Sequence, residues 1–187
     1  MKLILEHIDP EFYEWSLAEY ENIVKIIGKE NILFTNISDF NKLNFAECEK
    51  KFVKEIQAEN PSLRFCVLDP ESDKELISSD KEKFDYFVIG GILGNNPPDK
   101  KTEKLLSSQI NCETRNLGKK QMSTDTASIV VWKILNGMNI SDIKFVDDPE
   151  IEIEDNLTTI MPYRYLDDGT GKPIISQKVM ELIKKGW

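Results

Sequence analysis

The sequence predicts an α/β protein built on a mostly parallel sheet with helices on both faces. Short apolar runs alternate with amphipathic stretches through the first three quarters of the chain. The runs at 64–68 and 85–89 are largely apolar rather than alternating, as in strands buried on both faces. Glycine and proline punctuate nearly every transition.

The elements follow in order. Residues 2–5 form a first strand ending at Glu6 and His7. Asp9 then caps a helix with Pro10 at its first position and Glu11 and Glu14 in its early turns. Tyr13, Leu17, Tyr20, Val24 and Ile27 recur at spacings of four, three, four and three, and Gly28 closes that stripe. A short strand spans 31–34, and an amphipathic helix spans about 44–60, stopped by Pro61. The strand 64–68 breaks at Asp69-Pro70, and a polar stretch of weak helical character (72–83) leads into the strand 85–89. Pro97-Pro98 starts a helix to about 108, followed by a strand at 111–116 and a long apolar helix at 122–136 that Gly137 ends. Beyond residue 140 come a strand at 143–146 and the alternating acidic run 149–154. A hairpin-like turn at 167–171 and a helix at 177–185 complete the chain. We therefore expect a main domain at 1–140 and a C-terminal extension, 141–187, packed on it.

The net charge is −9, from 33 acidic and 24 basic residues. An acidic chain is a poor default binder of phosphate backbones, whose affinity comes largely from Lys and Arg. Three cysteines without close pairing and no apolar run of membrane-spanning length fit reduced thiols in a cytosolic protein that uses no membrane. The lone His7 excludes a multi-histidine metal site, and no metal is expected.

No P-loop pattern is present, and the first strand ends without the glycines a Rossmann site requires. The glycines stand instead after a middle strand, at Gly90, Gly91 and Gly94. Ligands in open parallel sheets bind outside the carboxyl ends of the strands. Three strands end there in loops of unusual chemistry: Leu68-Asp69-Pro70, the glycine turn, and 117–126, which opens a helix. Free N–H groups at that helix start suit a polar or anionic ligand. Ile89, Ile92, Leu117 and Met122 supply an apolar slot for an adenine ring.

The order of these motifs is similar to that of the SPOUT class of methyltransferases. Members tie the chain into a trefoil knot whose loops bind S-adenosylmethionine. The sequence resembles most closely one eukaryotic SPOUT family, which includes a yeast protein-arginine methyltransferase acting on a small-subunit ribosomal protein. The segments that carry the resemblance include Leu5-Glu6-His7, Glu14-Trp15, Leu68-Asp69-Pro70, 84–94, 117–127, 142–145 and 161–165, nearly the whole chain. Only the region from Thr35 to Leu63 departs from the family pattern.

The resemblance implies a protein-arginine methyltransferase with S-adenosylmethionine as cofactor. It places Leu68, Asp69, Pro70, Gly90, Gly91, Gly94, Leu117, Gly118, Gln121, Met122, Thr124 and Thr126 around the cofactor. The substrate it implies is a basic ribosomal protein, and the acidic chain suits a cationic peptide better than RNA. A SPOUT RNA methyltransferase and a non-catalytic ribosome-assembly factor stand as alternatives, as do monomer and homodimer.

Carboxylates beside a guanidinium can fix its plane and receive the released proton. Glu6, at the end of the first strand, Glu14 and Asp125 are the candidates. Asp125 reads equally as a helix N-terminal carboxylate. The cluster Asp147, Asp148 and Glu150 either faces a basic substrate or is a solvated loop. His7 either orients a substrate group or sits in the core, and Trp15 reads as packing.

Overall fold

The structure is a computed structural model and describes residues 1–94, 99–154 and 157–186. Five parallel strands form the central sheet: β1 (Lys2–His7), β2 (Ile32–Thr35), β3 (Phe65–Leu68), β4 (Tyr86–Gly91) and β5 (Cys112–Arg115). Their order is β2-β1-β4-β3-β5, so the central β4 is flanked by β1 and β3. Alternation along each strand sends side chains to two apolar layers. Leu3, Leu5, Cys66, Leu68, Phe87 and Ile89 face helices α1 (Glu14–Ile27) and α4 (Thr124–Leu135). Ile4, Phe65, Val67 and Val88 face the other way, toward Val53 of α2 (Val53–Glu59) and Leu106, which follows α3 (Lys101–Leu105).

Several elements differ from the sequence expectation, each for a physical reason. Helix α1 begins at Glu14 rather than Pro10, because the Asp9 carboxylate accepts the Leu93 N–H (2.9 Å) instead of capping a helix. Its buried face is accordingly set by Trp15, Ala18, Glu19, Tyr20, Ile23 and Ile27, while Tyr13 is exposed. The expected helix at 44–60 is helical only over its last turns. Residues 47–49 run beside β2 instead: the Phe34 N–H donates to the Glu47 carbonyl (2.9 Å) and the Glu49 N–H to the Phe34 carbonyl (2.8 Å). β2 is an edge strand, and satisfying its backbone outweighs a weak helical pattern. The proposed helix start at Pro97-Pro98 lies outside the described residues.

The C-terminal segment holds β6 (Phe145–Asp147), β7 (Glu150–Glu154), β8 (Leu157–Ile160), β9 (Arg164–Leu166) and α5 (Gln177–Lys185). β6 pairs antiparallel with β9, and β7 with β8, a pairing that the acidic alternation at 149–154 left without its partner strand. The turn at 167–171 is present, closed by Asp168 N–H to the Lys172 carbonyl (2.9 Å). Ile151, Met161, Tyr165, Val179 and Ile183 join Trp15 and Ala18 in a second core on the outside of α1.

The connection from β3 to β4 is anchored by a buried ion pair. Arg115 on β5 donates from Nε to Asp80 Oδ2 (3.0 Å) and from Nη2 to Oδ1 (3.2 Å), and Lys83 adds a third contact at 3.0 Å. The guanidinium also lies over the Phe84 ring. Burial alone would raise the Asp80 carboxyl, yet these donors and the Ile77 N–H hold it below the usual carboxylate range. Asp80→Asn leaves Arg115 buried without its counter-charge and should cost about 3–5 kcal/mol in urea unfolding at neutral pH. A depressed carboxylate stabilises above its ordinary value and loses that contribution as pH falls. The gap between wild type and variant should therefore narrow in acid.

Candidate functional site

A cleft opens at the carboxyl ends of β3 and β4. Its walls come from the Leu68-Asp69-Pro70 turn, the turn after β4, the loop after β5 and the start of α4. Leu68, Ile89, Ile92, Leu117, Met122 and Ala127 make it apolar inside, while Glu71, Asp99, Lys100, Lys101 and Lys120 stand at its edge. An apolar slot between main-chain-rich turns fits an adenine ring, and a rim of both charge signs fits a zwitterionic amino-acid tail.

Ten of the twelve expected cofactor residues line this cleft together: Leu68, Asp69, Pro70, Gly90, Gly94, Leu117, Gly118, Gln121, Met122 and Thr124. Asp69 acts through the turn it builds. Its carboxylate accepts from Ser107 Oγ (2.5 Å) and from the Glu71 N–H (3.0 Å), which fixes the chain around Pro70. Gly118 has φ +94°, which only glycine adopts without strain, and the preceding Asn116 side chain accepts its N–H (2.9 Å).

Gly91 and Thr126 lie off the cleft lining and do other things. A Cβ at Gly91 would sit 2.3 Å from the Tyr20 hydroxyl and 2.7 Å from Leu5 Cδ2, so this position lets α1 approach the sheet. The Thr126 hydroxyl lies within hydrogen-bond distance of Ser123 Oγ (2.8 Å) inside the first turn of α4.

The three candidate carboxylates have separate fates. Glu6 is buried on the α2 side of the sheet, where it accepts the Val53 N–H and the Thr35 hydroxyl, anchoring α2. Burial raises its carboxyl above the ordinary value despite those donors. Glu14 is exposed at the first position of α1. Asp125 is buried and accepts from Ser123 Oγ (2.7 Å), Asn22 Nδ2 (2.7 Å) and the Thr126 N–H (2.8 Å). His7 belongs to the core: its Nδ1 pairs with the Tyr20 hydroxyl (2.9 Å) and its ring stacks on Phe12.

Sequence reasoning missed Glu19. It is buried on α1, accepts from the Trp15 indole Nε1 (3.0 Å), and faces Thr124 and Asp125 at the start of α4. The signal was a glutamate four residues after a tryptophan, on the same helix face. The expected stripe of Tyr13, Leu17, Tyr20, Val24 and Ile27 does not include it. Burial and the neighbouring Asp125 push Glu19 up to about 8, and burial raises Asp125 as well. Raised to about 8, Glu19 keeps its proton at neutral pH, which spares the buried Asp125 a like charge beside it. Above them Tyr163 donates to the Gly94 carbonyl (3.1 Å), and Arg164 N–H donates to the Gln121 carbonyl (2.8 Å), fastening the C-terminal segment to the cleft edge.

The sheet order and the cleft at its carboxyl edge define a SPOUT-class methyltransferase fold. The dual-specific Trm10 of Thermococcus kodakaraensis matches it with a TM-score of 0.58 at 17% identity, over 75% of this chain and 95% of that one, a likeness of fold alone. The nearer relationship is specific: the chain belongs to the SFM1-like protein arginine N-methyltransferase family, whose profile matches residues 2–187. It is 37% identical to protein arginine N-methyltransferase SFM1 of Saccharomyces cerevisiae, over 99% of this chain and 95% of that protein. The crystal structure of the yeast arginine methyltransferase SFM1 complexed with SAM has a TM-score of 0.88 at 37% identity, covering 99% of this chain and 90% of that one.

Two outcomes test this geometry. Gly91→Ala forces Tyr20 off β4 and should destabilise the protein by about 1–3 kcal/mol, read from denaturant midpoints. Glu19 carries a raised value, so its contribution is full below the ordinary 4.5 and is lost as pH rises through about 8. The melting temperature should therefore fall between about pH 5 and pH 8.5, and Glu19→Gln should flatten that slope; a slope unchanged by the substitution contradicts the assignment.

Proposed function

We propose that the protein is an S-adenosylmethionine-dependent protein-arginine N-methyltransferase whose acceptor is a basic protein of the small ribosomal subunit. The observation that carries this reading is the cleft itself. Ten residues that the sequence pattern assigns to the cofactor converge on one apolar slot, in a chain whose fold follows that of a SAM-bound arginine methyltransferase from end to end.

Leu68, Ile89, Leu117 and Met122 would hold the adenine ring, and the main chain at Gly90, Gly94 and Gly118 lets a ligand approach closely. The cofactor supplies an electrophilic methyl group on a sulfonium. What the protein contributes is position and charge. Methyl transfer is an in-line displacement, and holding the nucleophile against the methyl supplies much of the rate. The sheet order, with the chain passing from β4 over β3 to β5 and back to α4 beside α1, is compatible with the trefoil knot of this class. The packing of Ile151, Met161, Tyr165, Val179 and Ile183 on α1 supports reading 141–187 as an extension of one domain.

The cationic side chains around the cleft favour a protein acceptor over RNA. Lys100 pairs with Glu71 (2.8 Å), Lys101 donates to the Leu93 carbonyl (2.8 Å) and Lys120 pairs with Asp148 (2.6 Å). Lys119 donates to the Pro70 carbonyl (3.3 Å). Lysines engaged this way neutralise few phosphates, whereas the net charge of −9 attracts a basic protein.

Purified protein should bind S-adenosylhomocysteine in calorimetry and transfer labelled methyl groups to a protein band of small ribosomal subunits. Mass spectrometry should place the label on arginine. Label that resists protease and disappears with RNase would overturn the reading in favour of RNA.

A further inference from the structure

Beside the cleft, one residue behind its wall, lies a group of polar side chains whose chemistry the cofactor does not use. Thr124 lines the cleft on one side and hydrogen-bonds the Glu19 carboxyl on the other. Glu19 also holds the Trp15 indole, and Asp125 holds Asn22. Facing both carboxyls is the Tyr165 hydroxyl, on a side chain 2% exposed and with no hydrogen-bond partner among the described residues.

A buried phenol without a partner costs stability. It persists here on β9, the strand that the Arg164 N–H fastens to the Gln121 carbonyl at the cleft edge. Tyr163, two residues before it, closes over Gly94 from the other side. Two acids and an unsatisfied hydroxyl acceptor are thus gathered against the end of the cleft where α4 begins. A planar cation with several N–H donors would satisfy all three.

We propose that this buried cluster, which borders the cleft at Thr124, takes the substrate guanidinium, with Glu19 as the proton acceptor of the transfer, Asp125 as the fixed negative charge and the Tyr165 hydroxyl as a hydrogen-bond acceptor that orients the guanidinium plane. The proposal rests on the arginine methyltransferase reading and adds the side chains that take the acceptor. Without substrate Glu19 holds a proton, which keeps two buried acids from repelling. Arrival of a guanidinium replaces that proton's charge, and it leaves to solvent. As the guanidinium nitrogen bonds the methyl carbon, the carbon–sulfur bond breaks with its electron pair kept by sulfur. The nitrogen's surplus proton passes to the Glu19 carboxylate. The product guanidinium remains a cation, so charge and protons balance.

The test uses the full chain, labelled S-adenosylmethionine and small-subunit ribosomal proteins. Tyr165→Phe removes only an oxygen that has no partner, so a purely structural Tyr165 predicts unchanged or improved stability and unchanged transfer. The proposal predicts a melting temperature at least as high, cofactor affinity within threefold, and acceptor binding to the S-adenosylhomocysteine-loaded protein weakened about tenfold. Glu19→Gln should lower kcat at least a hundredfold at unchanged cofactor affinity. It should also remove the rise of transfer with pH that Glu19 gives against Asp125, Tyr20, Tyr163 and Tyr165, the titratable groups around it. Transfer within threefold of wild type in both variants overturns the proposal while leaving the methyltransferase reading standing. Absence of any transfer by the wild type overturns the reading on which it rests.

Discussion

Tyr20 crossing β4 at Gly91 is the contact on which the site depends. Any side chain at Gly91 would occupy the space of the Tyr20 hydroxyl and of Leu5, so α1 can reach its depth only over a glycine. At that depth Tyr20 bonds His7 and packs against Phe34. One step along the helix, Asn22 reaches Asp125 and fixes the start of α4, which forms an edge of the cleft. One turn back, Trp15 and Ala18 present the surface on which the C-terminal segment gathers. The end of β4 and the turn after it therefore serve twice: Gly90 and Gly94 border the cleft, while Gly91 sets how closely α1 can stand.

The molecule buries carboxylates in two ways that differ in cost. Asp80 is matched by a two-bond guanidinium and a lysine, so its charge is retained and the connection from β3 to β4 is held beside β5. Among the described residues Glu19 is held by an indole N–H and a threonine beside another acid, with no ion pair. Such a group remains buried by keeping its proton, and it weakens the fold wherever pH favours ionisation. Glu6, which anchors α2 away from the cleft, is also held by uncharged donors and also raised, so the arrangement alone does not mark function. Placed against a ligand cleft, that arrangement is the pattern expected of a functional acid.

The sheet was legible because buried parallel strands declare themselves as short apolar runs between breakers. All five strands were located within one or two residues. The cleft was legible for the same reason, since strand ends and glycines mark where a ligand meets the backbone, and Gly90, Gly94, Gly118 and Met122 converge on it. What stayed hidden depended on long-range partners. Asp9 looked like a helix cap, but Leu93 claims its carboxylate. Residues 47–49 looked helical until the bare edge of β2 is seen to recruit them. Glu6 sat at a promising strand end, yet its side chain points to the opposite face of the sheet and holds α2. Glu19 drew no notice because a helical stripe built from apolar residues passes over an inward carboxylate.

The same chain order accounts for an acidic protein lined with lysines at its cofactor cleft. Lys100, Lys101, Lys119 and Lys120 fall on the two loops that border the slot, where they look in sequence like a phosphate-binding stripe. In the fold each is engaged: two by acids on neighbouring turns and two by main-chain carbonyls. Exposed pairs of this kind add little stability, about 0–1 kcal/mol each, so their consequence is spatial. They hold the Pro70 turn, the glycine turn and β6 against one another around the cleft opening. A lysine committed to closing a small-molecule cleft has few donors left for a polyanion. The net charge of −9 adds to this by disfavouring a polyanion.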